Sequence, residues 1–174
     1  DKDKKERGRK VKKALLIVDV QNDFCPGGAL AVPGGDQVIG PLNRMVDYAT
    51  ETANRAEWVI YASGDQHPRK TKHFKKWGGL WPIHCVRGTS GAEFHPELKT
   101  EFPEFGVIPI LKGTKPDEDA YSALEGRSDG GTLLELCLQY YNIQELYIGG
   151  LATDYCVKAT ALDAIKGGFK TYLL

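Results

Sequence analysis

Residues 14–19 read Ala-Leu-Leu-Ile-Val-Asp, an unbroken apolar run closed by a carboxylate. A strand covered on both faces has this character, whereas a strand with one wet face alternates. The run therefore predicts a central strand of a parallel sheet. Working outward, the same signal returns at Trp58–Ala62, ending at Gly64-Asp65, and at Val107–Leu111. It returns again at Glu145–Ile148, running into Gly149-Gly150, and at Phe169–Leu174. Between these runs, Asp36–Ala56 carries Val38, Ile39, Leu42, Met45, Val46 and Ala49 at helical spacing, with Asp36 as the predicted N-cap. Thr132 and Glu135 have capping-box spacing ahead of a leucine-rich helix. Thr153–Lys166 is predicted as an Ala-rich helix closed by Gly167-Gly168. Strands alternating with helices predict an α/β fold of three layers, α/β/α, around a mostly parallel, doubly wound sheet.

The 174 residues suit one domain, expected over 14–174, with a sizeable core. Lys and Arg together equal Asp and Glu at 23 each, so no net field points to a nucleic-acid or membrane partner. The first thirteen residues, DKDKKERGRKVKK, hold a small basic tract and are expected to form a solvated, disordered leader. No apolar run reaches membrane-spanning length, and no secretory signal is recognisable. Cys25, Cys85, Cys137 and Cys156 have neither C-x-x-C spacing nor the density of a disulfide scaffold, so a reducing, cytoplasmic setting is expected.

Ligands of open α/β sheets bind beyond the carboxyl ends of the strands. Those ends offer Asp19, Asp65, Lys112 and the loop into Cys156. Cys156 falls in the first turn of a predicted helix, where unpaired amides and the helix dipole favour a thiolate and can receive an oxyanion. A small cysteine packing the helix is the competing reading. Cys137, among leucines, is read as core, and the loop residues Cys25 and Cys85 as structural or incidental. Asp19 and Lys112 close apolar strands, where a charge is expensive to bury alone. If they converge, a Cys–Asp–Lys cluster results, with the carboxylate as proton shuttle. The long loop after Asp65 carries His67, His73 and His84. One carboxylate and two imidazoles, Asp65, His67 and His84, suit a divalent transition metal such as zinc, iron or manganese. His73 is a fourth ligand, a neighbour of a metal-bound water or an exposed residue, and His95 is assigned to the loop surface.

These residues carry a family resemblance. Asp19-Val-Gln-Asn-Asp-Phe24 and Pro26-Gly-Gly-Ala-Leu30 resemble the opening of nicotinamidases in the isochorismatase-like cysteine hydrolase superfamily. So do Gly64-Asp65-Gln-His67-Pro, Trp81-Pro-Ile-His84-Cys85-Val and Gly91-Ala-Glu-Phe-His95-Pro. Lys112-Gly113 and Gly150-Leu-Ala-Thr-Asp-Tyr-Cys156-Val complete the series in family order. The resemblance implies a triad of Asp19, Lys112 and Cys156, and metal ligands Asp65, His67 and His84 with His73 at a variable position. It implies a pyridine pocket walled by Phe24, Trp81 and Tyr121. It further implies a cis Leu151-Ala152 peptide that turns the Ala152 amide toward that of Cys156 as an oxyanion hole. The implied reaction converts nicotinamide to nicotinate and ammonia in NAD salvage. The implied cofactor is one divalent metal, Zn2+ foremost, with Fe2+ or Mn2+ as alternatives. A homo-oligomer is compatible with it. Two departures stand out: Gln66 replaces an aromatic residue often found between the metal Asp and His, and family members usually continue past the point matching Leu174. Another small-amide hydrolase of the superfamily, or a non-catalytic module of the same fold, are the rival readings.

Overall fold

The computed structural model describes residues 11–51, 54–101 and 106–174. Residues 1–10 of the expected leader lie outside the described residues, and Lys13 already opens the first strand. Five strands form one sheet: β1 (Lys13–Val18), β2 (Trp58–Asp65), β3 (Ile108–Lys112), β4 (Glu145–Gly150) and β5 (Lys170–Leu173). Their order is β3-β2-β1-β4-β5, and every pairing is parallel. The chain steps outward from β1 to β3, then returns across the sheet to β4. This reversal beside β1 is the switch point at which doubly wound sheets open a crevice.

β1 lies at the centre, and residues 14–18 have no solvent exposure. Its side chains divide between two cores. Leu15 and Ile17 pack with Ile39, Leu42, Val46 and Ala49 of α1 (Ile39–Thr50). Ala14, Leu16 and Val18 pack on the other face with Leu134 and Leu138 of α2 (Leu134–Tyr140) and Ala161 and Ala164 of α3 (Lys158–Lys166). Alternate residues thus face opposite helical layers, which is why the run had to be continuously apolar. No helix among the described residues is long and apolar enough to cross a membrane.

The helix starts differ from expectation. Asp36 does not cap α1; it lies inside a 3-10 turn, Gly35–Val38, entered through Gly34 in the left-handed region (φ 66°). α1 ends at Thr50 rather than near Ala56. The predicted capping box is not formed either. Leu133 occupies the N-cap position, and the Leu134 amide donates instead to the Gly126 carbonyl, 3.0 Å away. The final predicted helix is two windings: a π turn over Thr153–Val157, then α3.

Candidate active site

The sheet register places the chemical residues side by side. Val18 pairs with Ser63 on one side and Gly150 on the other, so Asp19, the end of β2 and the exit from β4 adjoin. Asp65 pairs with Lys112. The expected Cys–Asp–Lys convergence is present. Lys112 Nζ lies 2.7 Å from Asp19 Oδ2, 2.5 Å from Asp65 Oδ1 and 3.6 Å from Cys156 Sγ, and donates to the Ala120 carbonyl at 3.0 Å. Its side chain is fully buried. Burial alone would discharge it, but the two carboxylates outweigh that and hold its pKa well above the usual lysine value.

Asp19 is also fully buried and has a left-handed backbone (φ 51°), a conformation Asp tolerates better than most residues. Burial raises its pKa above the ordinary carboxylate value; Lys112 opposes this, the Asp65 charge adds to it, and the hydrogen bond from Ser63 opposes it. For Asp65 the balance reverses. Burial is overcome by the adjoining ammonium and by His67, which hold its carboxyl well below the ordinary value.

The setting of Cys156 works against the thiolate expected from its helix position. Burial, then the Asp19 charge, push its thiol up against the opposing pull of Lys112. Burial is the largest of these effects, so the surroundings favour the thiol form over the thiolate, beside the buried Asp19 carboxylate. The π turn carries it at the cavity edge. The Leu151–Ala152 peptide is cis, and the Ala152 carbonyl accepts from the Tyr155 and Val157 amides, both at 3.1 Å. The amide of Ala152 makes no backbone hydrogen bond among the described residues.

Beside this cluster, one ring nitrogen from each of His67, His73 and His84 falls within 4.8 Å of the others, and all three residues are buried. Asp65 Oδ2 lies 3.4 Å from His67 Nε2 and 3.9 Å from His84 Nε2. Of the three possibilities for His73, exposure is removed. Every ring has its Nδ1 on an oxygen: His67 on Gly113 O at 3.0 Å, His84 on Pro82 O at 2.7 Å, His73 on Asp119 Oδ1 at 2.8 Å. An Nδ1–H tautomer satisfies all three contacts and leaves each Nε2 with a lone pair. His67 Nε2 is buried without a hydrogen bond, as an unprotonated nitrogen facing the Asp65 carboxylate would be. Burial lowers His84 to about 4 and also lowers His73, favouring neutral, ligating imidazoles. A carboxylate oxygen with buried, neutral imidazoles fits a divalent transition metal. His95 lies outside the cluster, its Nδ1 accepting from the Glu97 amide.

Both groups open into one cavity of about 340 Å3, whose lining includes Phe24, Trp81, Tyr121, His84, Ala152 and Cys156. Trp81 Nε1 donates to Tyr121 Oη at 2.9 Å, which braces two walls, and Phe24 lies 5.4 Å from the His84 ring. Tyr155 packs edge-on against Trp81 at 5.0 Å and forms a wall that sequence reasoning missed. Three buried or bridging polar residues were missed as well. Ser63 Oγ donates to Asp19 Oδ1 at 2.7 Å. Gln21 Nε2 donates to Asp65 O at 2.9 Å and Ala92 O at 2.8 Å, while its Oε1 accepts from the Asp65 amide at 2.8 Å. Asp119 holds His73. Parallel register could have revealed Ser63, which is Val18's partner across β1 and β2; Gln21 and Asp119 act over loops with no periodic signal. Cys25 and Cys85 are buried in a small apolar cluster with Phe24, Ala92 and Leu151.

The isochorismatase domain model matches residues 13–174. A nicotinamidase of Escherichia coli (strain K12) is 41% identical over 93% of this chain and 80% of its own length. The structure of a Pyrococcus horikoshii pyrazinamidase in complex with zinc superposes with a TM-score of 0.80 at 44% identity, covering 93% of this chain and 83% of that one. PnC1 from L. infantum, solved in complex with nicotinate, gives 0.79 at 34% identity, covering 95% and 81%. The chain belongs to the isochorismatase domain family.

Proposed function

We propose that this chain is an amidohydrolase that converts nicotinamide to nicotinate and ammonia. The carrying observation is Lys112, whose one ammonium touches Asp19, Asp65 and Cys156 and so joins the thiol–carboxylate pair to the imidazole cluster at the floor of an aromatic cavity. The relatives named nicotinamidase and pyrazinamidase, and the one solved with nicotinate, support a small pyridine or pyrazine carboxamide.

The substrate ring lies between Phe24, Trp81 and Tyr121. Asp65, His67 and His84, with His73 as the fourth ligand, would hold a divalent metal, Zn2+ in the first instance, which would supply Lewis-acid chemistry to the bound substrate. Asp19, made more basic by burial, takes the Cys156 proton as Sγ bonds to the amide carbon. The amides of Ala152 and Cys156 receive the oxygen's developing charge. Asp19 passes the proton to the departing nitrogen, the C–N bond breaks, and ammonia leaves a thioester. Water then attacks the thioester carbon and gives a proton to Asp19. The C–S bond breaks, the proton returns to sulfur, and the acid departs as nicotinate, its carboxyl proton going to solvent. Lys112 stays charged throughout and keeps both carboxylates in register.

The test is ammonia release from nicotinamide by wild type and Cys156→Ala, each with and without complete chelation. Activity is expected only in the metal-loaded wild type. Release that persists in Cys156→Ala would falsify the nucleophile, and indifference to chelation would remove the ligand set.

A further inference from the structure

We infer that Asp119, a carboxylate on the exposed loop after β3, is a positioning residue that fixes His73 as a metal ligand and thereby sets the affinity of the site. The inference rests on the metal reading of the imidazole cluster given above. The three histidines share one arrangement but differ in their outer partners. His67 and His84 lean on backbone carbonyls, of Gly113 and Pro82, which no substitution of a side chain removes. His73 alone leans on a side chain, at 2.8 Å, and that side chain is 67% exposed while the imidazole is 4% exposed.

An exposed Asp would ordinarily be a poor anchor, because ordering it costs side-chain entropy. Here both sides of the loop are tied down. The Pro116 carbonyl accepts from Thr71 Oγ1 at 3.0 Å and from the Lys72 amide at 2.9 Å, binding the loop to the segment that carries His73. The Ala120 carbonyl, next to Asp119, accepts from Lys112 Nζ at 3.0 Å. Asp119 is thus held between two anchors, one on the His73 segment and one on the buried lysine. Its carboxylate accepts from Nδ1–H, which sets the tautomer and aims Nε2 at the cluster. Outer partners of this kind are worth 10- to 100-fold in metal affinity when removed.

The experiment measures Zn2+ affinity of metal-depleted protein by competition with a chromophoric chelator, and the visible spectrum of the Co2+-loaded protein. The variants are Asp119→Ala, Asp119→Asn, His73→Ala and the double substitution Asp119→Ala with His73→Ala. Asp119→Ala is expected to weaken Zn2+ binding about 10- to 100-fold and to change the Co2+ spectrum toward that of His73→Ala. Asp119→Asn, which keeps an acceptor oxygen, recovers part of the loss. In the His73→Ala background Asp119→Ala has no further effect. Wild-type affinity in Asp119→Ala, or an undiminished effect of that substitution without His73, overturns the inference. A wild-type chain that takes up no divalent metal overturns instead the metal reading on which it rests, and the two failures are told apart by the wild-type titration alone.

Discussion

Removing the Ser63 hydroxyl should make Asp19 a visibly weaker acid without dismantling the site. Ser63 Oγ donates to Asp19 Oδ1 at 2.7 Å in a place with no solvent exposure for either residue. A hydrogen bond to an ionised group is worth about 1.5–3 kcal/mol, and 1.36 kcal/mol corresponds to one pKa unit. Because the bond favours the charged carboxylate, Ser63→Ala is expected to move the Asp19 pKa upward by roughly 1–2 units beyond its already raised position. The acidic limb of kcat/KM against pH reports the essential base of the free enzyme. That limb should therefore shift to higher pH by the same amount, while the plateau above it changes only a few-fold. Two contacts that remain, the Asp19 amide on the Ser63 carbonyl at 3.0 Å and Lys112 on Oδ2 at 2.7 Å, keep the carboxylate in place. The assay is ammonia release from nicotinamide across pH, with near-ultraviolet circular dichroism to verify the fold. A limb that stays put, or moves to lower pH, would refute the assignment of Asp19 as the base tuned by Ser63. A shift confined to the basic limb would point to the Cys156 thiol instead.

Lys112→Met leaves two buried carboxylates facing each other, and should cost about 3–5 kcal/mol in urea unfolding at neutral pH; a loss below about 1 kcal/mol would show that the ammonium is electrostatically dispensable. Gln21→Leu strips its side-chain partner from the Asp65 amide and the Asp65 carbonyl, at roughly 1–3 kcal/mol for each group left unsatisfied, while the Ala92 carbonyl keeps the bond from Gln66 Nε2 at 3.1 Å. It should lower both the unfolding midpoint and Zn2+ affinity, and unchanged affinity would mean that Asp65 is placed by β2 alone. Gly113→Ala should release zinc by displacing His67, since a Cβ there would meet Cε1 of that ring at 2.4 Å on a backbone with φ +60°. Equilibrium dialysis would detect this, and wild-type zinc content in the variant would contradict it.

The strand ends were legible because burial on both faces leaves no place for a charge until the strand stops. Asp19, Asp65 and Lys112 therefore announced themselves by breaking apolar runs. The spacing of Asp65, His67 and His84 was legible as donor chemistry, though whether the rings converge depends on the path of a loop with no period. Helix entry was the least legible. Asp36 and the Thr132/Glu135 pair have the composition of caps, yet backbone groups of neighbouring segments took those roles, as with Leu134 on Gly126. The pull against a thiolate at Cys156 was hard to read for a related reason: a position in a helix suggests a dipole, but burial and the Asp19 charge, supplied by other segments, act the opposite way. Ser63, Gln21 and Asp119 act across sheet or loop contacts, which a linear pattern does not display.

Asp19 and Cys156 come from opposite ends of the chain and meet only because β1 and β4 are neighbours in the sheet. Pairings between distant segments form slowly, since loop closure must precede the contacts that reward it. Turnover is therefore an all-or-none reporter of assembly. During refolding, helical signal can return with local segments, whereas ammonia release should wait for the β1–β4 seam, and two fragments cut between β3 and β4 should be silent apart and active only when they dock.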